Sequence, residues 1–268
     1  MRRLLCWALV VMGAVVILPV PAFAQGGDLT FFVGGAYPVY DERLTLRPSV
    51  PSLPGVDVSV VGTPELRADG GLVFGGALAF ELGVFGIEGR LDATDIAFDL
   101  TGARYDLQAL APPLDGLSAS ITIGNGRLDT ERLFLLSVNA RLRTPGPIGL
   151  VASGGLTYLP DVSITGSVPL SVEVGGVSLP GVDPRVRLRA APGESDHRFG
   201  LNGGAGLRVG GSRVAVVGEV RVFYFRDYEL RFGVDGAPIE LDEVLASLAP
   251  IEFDPIIVNA QVGLVFRF

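Results

Sequence analysis

Residues 213–224 read RVAVVGEVRVFY, and the two faces of this segment are sorted by charge. At a strand's period of two, one face carries Val214, Val216, Gly218, Val220, Val222 and Tyr224. The other carries Arg213, Ala215, Val217, Glu219, Arg221 and Phe223. Segment 198–209 sorts in the same way, with Phe199, Leu201, Gly203, Ala205, Leu207 and Val209 opposite Arg198, Gly200, Asn202, Gly204, Gly206 and Arg208. Strands of this kind, laid side by side, turn their apolar faces to an oily surround and their ionised faces to a shared centre. That is a soluble barrel turned inside out, and it is the pattern of a closed barrel in a bilayer.

Reading the whole chain for the same period predicts eight spanning strands, at 29–39, 71–82, 84–94, 132–143, 148–159, 198–209, 213–225 and 257–268. Each has roughly the 9–11 residues that a tilted strand needs to cross a bilayer. The connections alternate in length. Short turns fall at Gly83, at TPGP (144–147) and at GGS (210–212), and long connections at 40–70, 95–131, 160–197 and 226–256. Three short turns and four long loops predict an all-β, antiparallel, eight-stranded up-and-down barrel. Both termini then lie on the periplasmic side, and the long loops are extracellular.

The outward aromatics follow this geometry. Phe31, Phe80, Phe85, Phe266 and Phe268 fall near the periplasmic rim, and Tyr37, Phe74, Phe134, Tyr158, Phe199 and Tyr224 near the outer one. Two aromatic girdles around an aliphatic belt are what the two bilayer interfaces select.

The N-terminus predicts export. Arg2 and Arg3 precede an apolar stretch from Leu4 to Val20, and Ala22-Phe23-Ala24 is a small-x-small cleavage site. The expected signal peptide is 1–24, leaving 25–268 as the barrel domain. The alternative, an uncleaved anchor, fits the short apolar run and the cleavage site less well. The only cysteine, Cys6, lies inside the signal, so the mature chain forms no disulfide. After residue 24 no run of about 18 apolar residues follows, yet mean hydropathy is +0.47. The 37 glycines and 19 prolines favour strands and turns over helices. Without Arg2 and Arg3 the formal net charge falls from −8 to −10, which argues against a nucleic-acid partner. All 21 basic residues are arginine.

The last strand keeps its alternation to the final residue, with Val258, Ala260, Val262, Leu264, Phe266 and Phe268 outward and Asn259, Gln261, Gly263, Val265 and Arg267 inward. It must pair with the first strand, because an open edge in hydrocarbon leaves each backbone polar group unsatisfied. In its architecture and this terminal strand, the chain resembles the small eight-stranded outer-membrane barrels of the OmpA/OmpX-like superfamily. The resemblance spans 25–268 and rests on no internal motif. It implies a monomer in outer-membrane lipid and lipopolysaccharide, exported through the Sec pathway and handled by periplasmic chaperones. It also implies that Leu264, Phe266 and Phe268 form the C-terminal signal read by the barrel-assembly machinery.

The lumen of an eight-stranded barrel is just wide enough for side chains to fill. The expected polar network comprises Glu81, Glu88, Arg90, Arg141, Asn202, Arg208, Glu219 and Arg221, joined by Asn139, Asn259, Gln261 and Arg267. Simple hairpin registers set Ala79 opposite Arg90, with Glu81 diagonal to it. They also set Arg208 opposite Arg213, Asn202 opposite Glu219 and Gly200 opposite Arg221. Inward Gly75, Gly155, Gly204 and Gly263 leave room for long arginines. Such charges either plug the lumen or rearrange as a gated, narrow ion path; the plug is the expectation.

The loops carry one echo. SLPGVD occurs at 52–57 and again at 178–183, in two loops four strands apart. It reads as a duplicated half-barrel or as turns capping hairpins that rise above the membrane. In the fourth loop Leu241, Val244, Leu245 and Leu248 fit one face of a short helix near 240–249. Scattered acids such as Asp57, Asp115, Asp183, Glu194 and Asp242 have no Ca²⁺-loop spacing. No metal, P-loop or dinucleotide motif is present, so no cofactor is expected.

The only histidine, His197, stands in GESDHRF beside Ser195 and Asp196. Adjacent strand positions suit a serine–histidine pair poorly. The chain therefore reads as a non-enzymatic barrel with a structural or surface-interaction role. The alternative is a narrow channel or transporter for a small or hydrophobic solute; a lipid A acyl hydrolase ranks below both.

Overall fold

The computed structural model describes residues 26–39, 41–43, 56–62, 65–109, 118–130, 132–160, 163–178, 185–190, 199–225, 228–235, 251–253 and 256–268. The described strands start with β1 Gly26–Val39 and β2 Asp41–Arg43, and the chain returns through β3 Val56–Val61, β4 Glu65–Asp69 and β5 Gly71–Leu82. It climbs again in β6 Phe85–Thr94, β7 Ala97–Thr101 and β8 Ala103–Ala109, and descends in β9 Ser118–Ile123, β10 Gly126–Thr130 and β11 Leu133–Arg143. The third ascent is β12 Ile148–Tyr158, β13 Ser163–Ser167 and β14 Leu170–Val174, and the return is β15 Val177–Ser178, β16 Arg185–Ala190 and β17 Phe199–Gly210. The last hairpin is β18 Val214–Tyr224 and β19 Tyr228–Asp235, followed by β20 Ile251–Phe253 and β21 Ile256–Arg267.

Eight of these strands close into an antiparallel barrel in the order β1-β21-β18-β17-β12-β11-β6-β5. They match the eight expected segments, and only β1 starts more than one residue from its expected boundary. Its extra turn of ladder pairs Asp28 with Arg267, and Gly27 and Phe268 exchange both backbone hydrogen bonds at 2.9 Å. The first and last strands therefore close the sheet along its full length, and no edge remains in this part of the wall. The short turns sit at one end, where Gly83 and Gly146 adopt positive φ of 73° and 113°, conformations that cost a side-chain-bearing residue energy.

The described residues of the expected long loops are largely strand. At the other end of the barrel, β2, β4, β7, β10, β13, β16, β19 and β20 form a second eight-stranded sheet. Each is the upward continuation of a barrel strand, and the neighbour order is retained. One ladder is missing: among the described residues nothing joins β2 to β20, whereas β1 and β21 below them pair as far as Val39 and Ile256. A third tier, with the order β15-β14-β9-β8-β3, continues three of the hairpins. The wall creases between the second and third tiers at Gly62 (φ 101°), Gly102, Gly124 and Pro169. There the Gly102 N–H donates to Asn125 Oδ1 at 2.9 Å and the Gly124 N–H to the Pro169 carbonyl at 2.7 Å. Of the repeated SLPGVD, only Val56 and Asp57 in β3 and Ser178 in β15 are described, on the two opposite edges of this tier.

The polarity of the wall reverses between the barrel and the second tier. In the barrel, outward residues such as Phe31, Val33, Ile87, Leu150, Leu201, Val220 and Leu264 are exposed. In the second tier, Arg67, Asp69, Asp99, Arg127 and Asp129 are exposed, and Leu66, Phe98, Leu100, Leu128 and Ile164 are buried. The reversal falls at the level of Phe74, Phe134 and Tyr158, the expected outer girdle. At this level the Arg132 guanidinium lies 5.0 Å from the Phe74 ring centroid and pairs with Asp95 at 3.2 Å.

Candidate functional site

Among the described residues, the buried ionised groups lie in the barrel's interior. Every member of the expected network points inward. Arg221 is fully buried and organises the middle of the lumen. Its Nε donates to Glu219 Oε1 at 2.8 Å, and its Nη2 pairs with Glu88 at 3.2 Å. The same guanidinium donates to Asn202 Oδ1 and to the Ser153 hydroxyl. Asn202 in turn donates to Asn139 Oδ1 and to Thr157 Oγ1, both at 2.8 Å, and Asn139 donates to Glu88 at 3.0 Å. Five strands are tied together by these groups.

A second centre lies beside it. Arg90 forms a fork with Asp92, at 2.7 Å from Nε and 3.0 Å from Nη2, and reaches Glu219 at 3.4 Å. Its guanidinium also stacks 3.9 Å from the centroid of Phe32. A buried ion pair costs desolvation that only good geometry offsets, and the Arg90–Asp92 fork has that geometry.

The floor, at the short-turn end, is built differently. Asp28 faces Arg141 at 3.4 Å and Arg143 at 3.6 Å, and Glu81 takes Arg143 at 2.8 Å and Arg267 at 3.1 Å. Arg208 is buried, with a single described hydrogen bond, from Nη2 to the Gly211 carbonyl at 3.4 Å. Along the β21 wall, Asn259 and Gln261 are buried with both amide atoms unpartnered.

Two expected registers are corrected. Ala77, not Ala79, stands opposite Arg90, because the turn at Gly83 takes two residues and pairs Leu82 with Phe85. Glu81 is thereby carried away from Arg90 to the floor. Across the last short turn, Arg208 faces Val217, Gly206 faces Glu219 and Gly204 faces Arg221, so Asn202 meets Phe223 rather than Glu219. The turn is longer than the simple reading allowed, with Gly210 opposite Ala215.

The glycine expectation holds in part. A Cβ on Gly204 would stand 2.5 Å from Glu219 Oε1 and 3.2 Å from Arg221 Nε, so this glycine does make room for the charged pair. At Gly75 and Gly263 such an atom would instead first meet a carbonyl oxygen, of Leu91 at 2.0 Å and of Phe31 at 2.8 Å, and then the Phe32 ring or Cβ at 2.8 and 3.1 Å. Gly155 accommodates Asn139, whose Oδ1 would lie 2.8 Å away.

Sequence reading missed Asp28, Asp92 and Arg143 as lumen residues. Extending the same alternation by one pair from Arg90, and from Arg141, would have found the latter two. It also missed the lid: above the charged level, Val73, Leu133, Leu135, Phe223, Phe225 and Ile257 join Leu66, Phe98, Leu100, Leu128, Ile164 and Val168 in one buried apolar cluster. These second-tier residues lay in segments expected to be loop. Ser195, Asp196 and His197 and the expected helix near 240–249 lie outside the described residues. Leu264, Phe266 and Phe268 are exposed on the outward face, Phe266 in edge contact with Phe31 at 6.4 Å between ring centroids.

No family model and no curated protein matches the chain. Among solved structures, it is similar to the TodX monoaromatic hydrocarbon channel deltaS2 mutant over 91% of this chain and 90% of that one, at 8% identity and a TM-score of 0.24. It is similar also to the translocator domain of the autotransporter NalP from Neisseria meningitidis, over 98% and 97% of the two chains, at 11% identity and a TM-score of 0.14. The assignment of a closed eight-stranded barrel rests on the chain's own ladders.

Proposed function

We propose that this protein is an outer-membrane β-barrel of a Gram-negative-type bacterium, acting without catalysis. Its barrel anchors the chain in outer-membrane lipid and lipopolysaccharide, and the strand-built outer tiers serve a structural or surface-interaction role. The observation that carries this reading is the doubly filled interior. A charged network centred on the fully buried Arg221 lies beneath an apolar cluster that includes Phe98, Leu128 and Phe223. A lumen filled at two successive levels suits an anchor better than a pore. The exported chain travels the Sec pathway, with Leu264, Phe266 and Phe268 presented to the assembly machinery.

Planar-bilayer conductance tests it. The wild type and the Arg90→Ala and Glu219→Ala variants are expected to be silent; steady single-channel steps in the wild type would reject the anchor. Unchanged lipid A species on His197→Ala are expected as well, since no catalysis is assigned to that residue.

One observation favours a second reading, transport of a small apolar solute. Among the described residues no ladder joins β2 to β20, on the side of the second tier above β1 and β21, whose Ala36 and Ile257 belong to the apolar cluster. Faster uptake of an apolar tracer by cells expressing the protein, with no ion conductance, would favour this path over the anchor.

A further inference from the structure

The floor of the lumen holds more positive charge than it neutralises. Four guanidiniums, Arg141, Arg143, Arg208 and Arg267, face three carboxylates, Asp28, Glu81 and, 3.9 Å from Arg141 Nε, Glu88, which is shared with Arg221. Arg143 has both Arg208 and Arg267 as like-charged neighbours. The donors are also incompletely used. Arg208 is 4% exposed and its Nε has no hydrogen-bond partner. Arg141 Nε and Arg143 Nη1 make no hydrogen bond either but pair with Glu88 at 3.9 Å and Asp28 at 3.6 Å. The facing Asp28 Oδ1, Asp28 Oδ2 and Glu81 Oε1 are acceptors without a hydrogen-bond partner, and Arg208 is the donor with no carboxylate beside it among the described residues. Water can satisfy an orphaned N–H, but it cannot offset an uncompensated cation in a half-desolvated floor. Guanidinium forks match the oxygens of a tetrahedral oxyanion in both geometry and charge.

We propose that the short-turn floor of the lumen binds a small oxyanion of the phosphate class, with Arg208 as its principal unshared donor. The barrel wall is closed around this level, and the charged network and the apolar cluster lie above it. The anion therefore enters from the aqueous side at the short turns, as a soluble species rather than as a lipid headgroup. This inference needs only the floor's geometry and stands apart from the choice between anchor and apolar path.

The probe is inorganic phosphate, titrated calorimetrically into the full chain in neutral detergent, with sodium chloride of equal ionic strength as the reference. Saturable phosphate binding is expected, and Arg208→Gln is expected to weaken it about tenfold, the worth of one charge-assisted hydrogen bond. Glu81→Gln, which removes a competing carboxylate, should tighten binding. A purely structural role for Arg208 would make Arg208→Gln destabilising under all conditions. As part of an empty anion site, its loss should raise the heat-unfolding midpoint without phosphate and abolish the further rise that phosphate gives the wild type. Reconstitution into phosphatidylglycerol vesicles should leave the affinity unchanged; competition by that lipid would overturn the soluble source. Binding no stronger than chloride's, or equal in wild type and Arg208→Gln, marks an adventitious ion only and ends the proposal.

Discussion

The barrel and the second tier are made from the same hairpins, yet their walls are opposites. Below the aromatic level, Leu150, Leu201 and Val220 face outward and Asn139, Asn202 and Arg221 face inward. Above it, Asp99, Arg127 and Asp129 face outward and Phe98, Leu128 and Ile164 face inward. Backbone pairing is alike in both regions, so hydrogen bonding does not explain the difference. The surround does. Where the outside is hydrocarbon, the centre is the only place for ions; where the outside is water, the centre must be dry. A strand that crosses the boundary keeps its period of two and exchanges the content of its faces.

The contrast can be broken by substitution, and the largest effect is expected at its polar centre. Arg221→Ala leaves Glu88, Glu219 and Asn202 without their shared donor and should destabilise the folded barrel by about 3–5 kcal/mol. Urea titration in lipid vesicles, read by heat-modifiable gel migration, measures it; a loss below about 1 kcal/mol would mean that the network is solvated rather than buried. Leu128→Ala, at the apolar centre of the second tier, should cost about 2–5 kcal/mol in the same assay through the cavity it leaves.

The outward faces give the smaller effects. Val220→Arg, at an outward barrel position, should cost about 2–4 kcal/mol, the depth-dependent penalty of a cation in lipid. Arg127→Ala, on the outward face of the second tier, should cost at most about 1 kcal/mol. Its contacts with Asp69 at 3.3 Å and with Asp99 and Asp129 at 3.7 Å join half-exposed groups in water. If the two costs were equal, the difference in surround would not exist.

The barrel was legible because its signal is long and two-sided. Strand β18 alternates over eleven residues, and every expected lumen residue faces inward. The registers were not legible, because a turn's residue count shifts a whole ladder. Two residues at Gly83 were enough to move Glu81 from Arg90 to Arg143. The second tier was hidden for another reason. Its strands at Glu65–Asp69, Ala97–Thr101 and Gly126–Thr130 are five residues each, flanked by Gly62, Gly70, Gly102 and Gly124. With their polarity reversed, they look like polar loop to a search tuned for apolar outward faces. The floor was only half visible. Arg208 could be read as inward, but the absence of a carboxylate beside it among the described residues depends on the strands across the lumen, which no local pattern specifies.

The central claim, that one wall passes from lipid to water at the aromatic level, is tested most directly by nitroxide labels along a single ascent. Cysteines placed at Leu150, Leu156 and Ser167 of the reconstituted protein sample β12 and β13 from low in the barrel to the second tier. Oxygen should quench the labels at 150 and 156, and a water-soluble nickel chelate should quench the label at 167. A lipid-like label at 167, or nickel access at 150 and 156, would contradict the account.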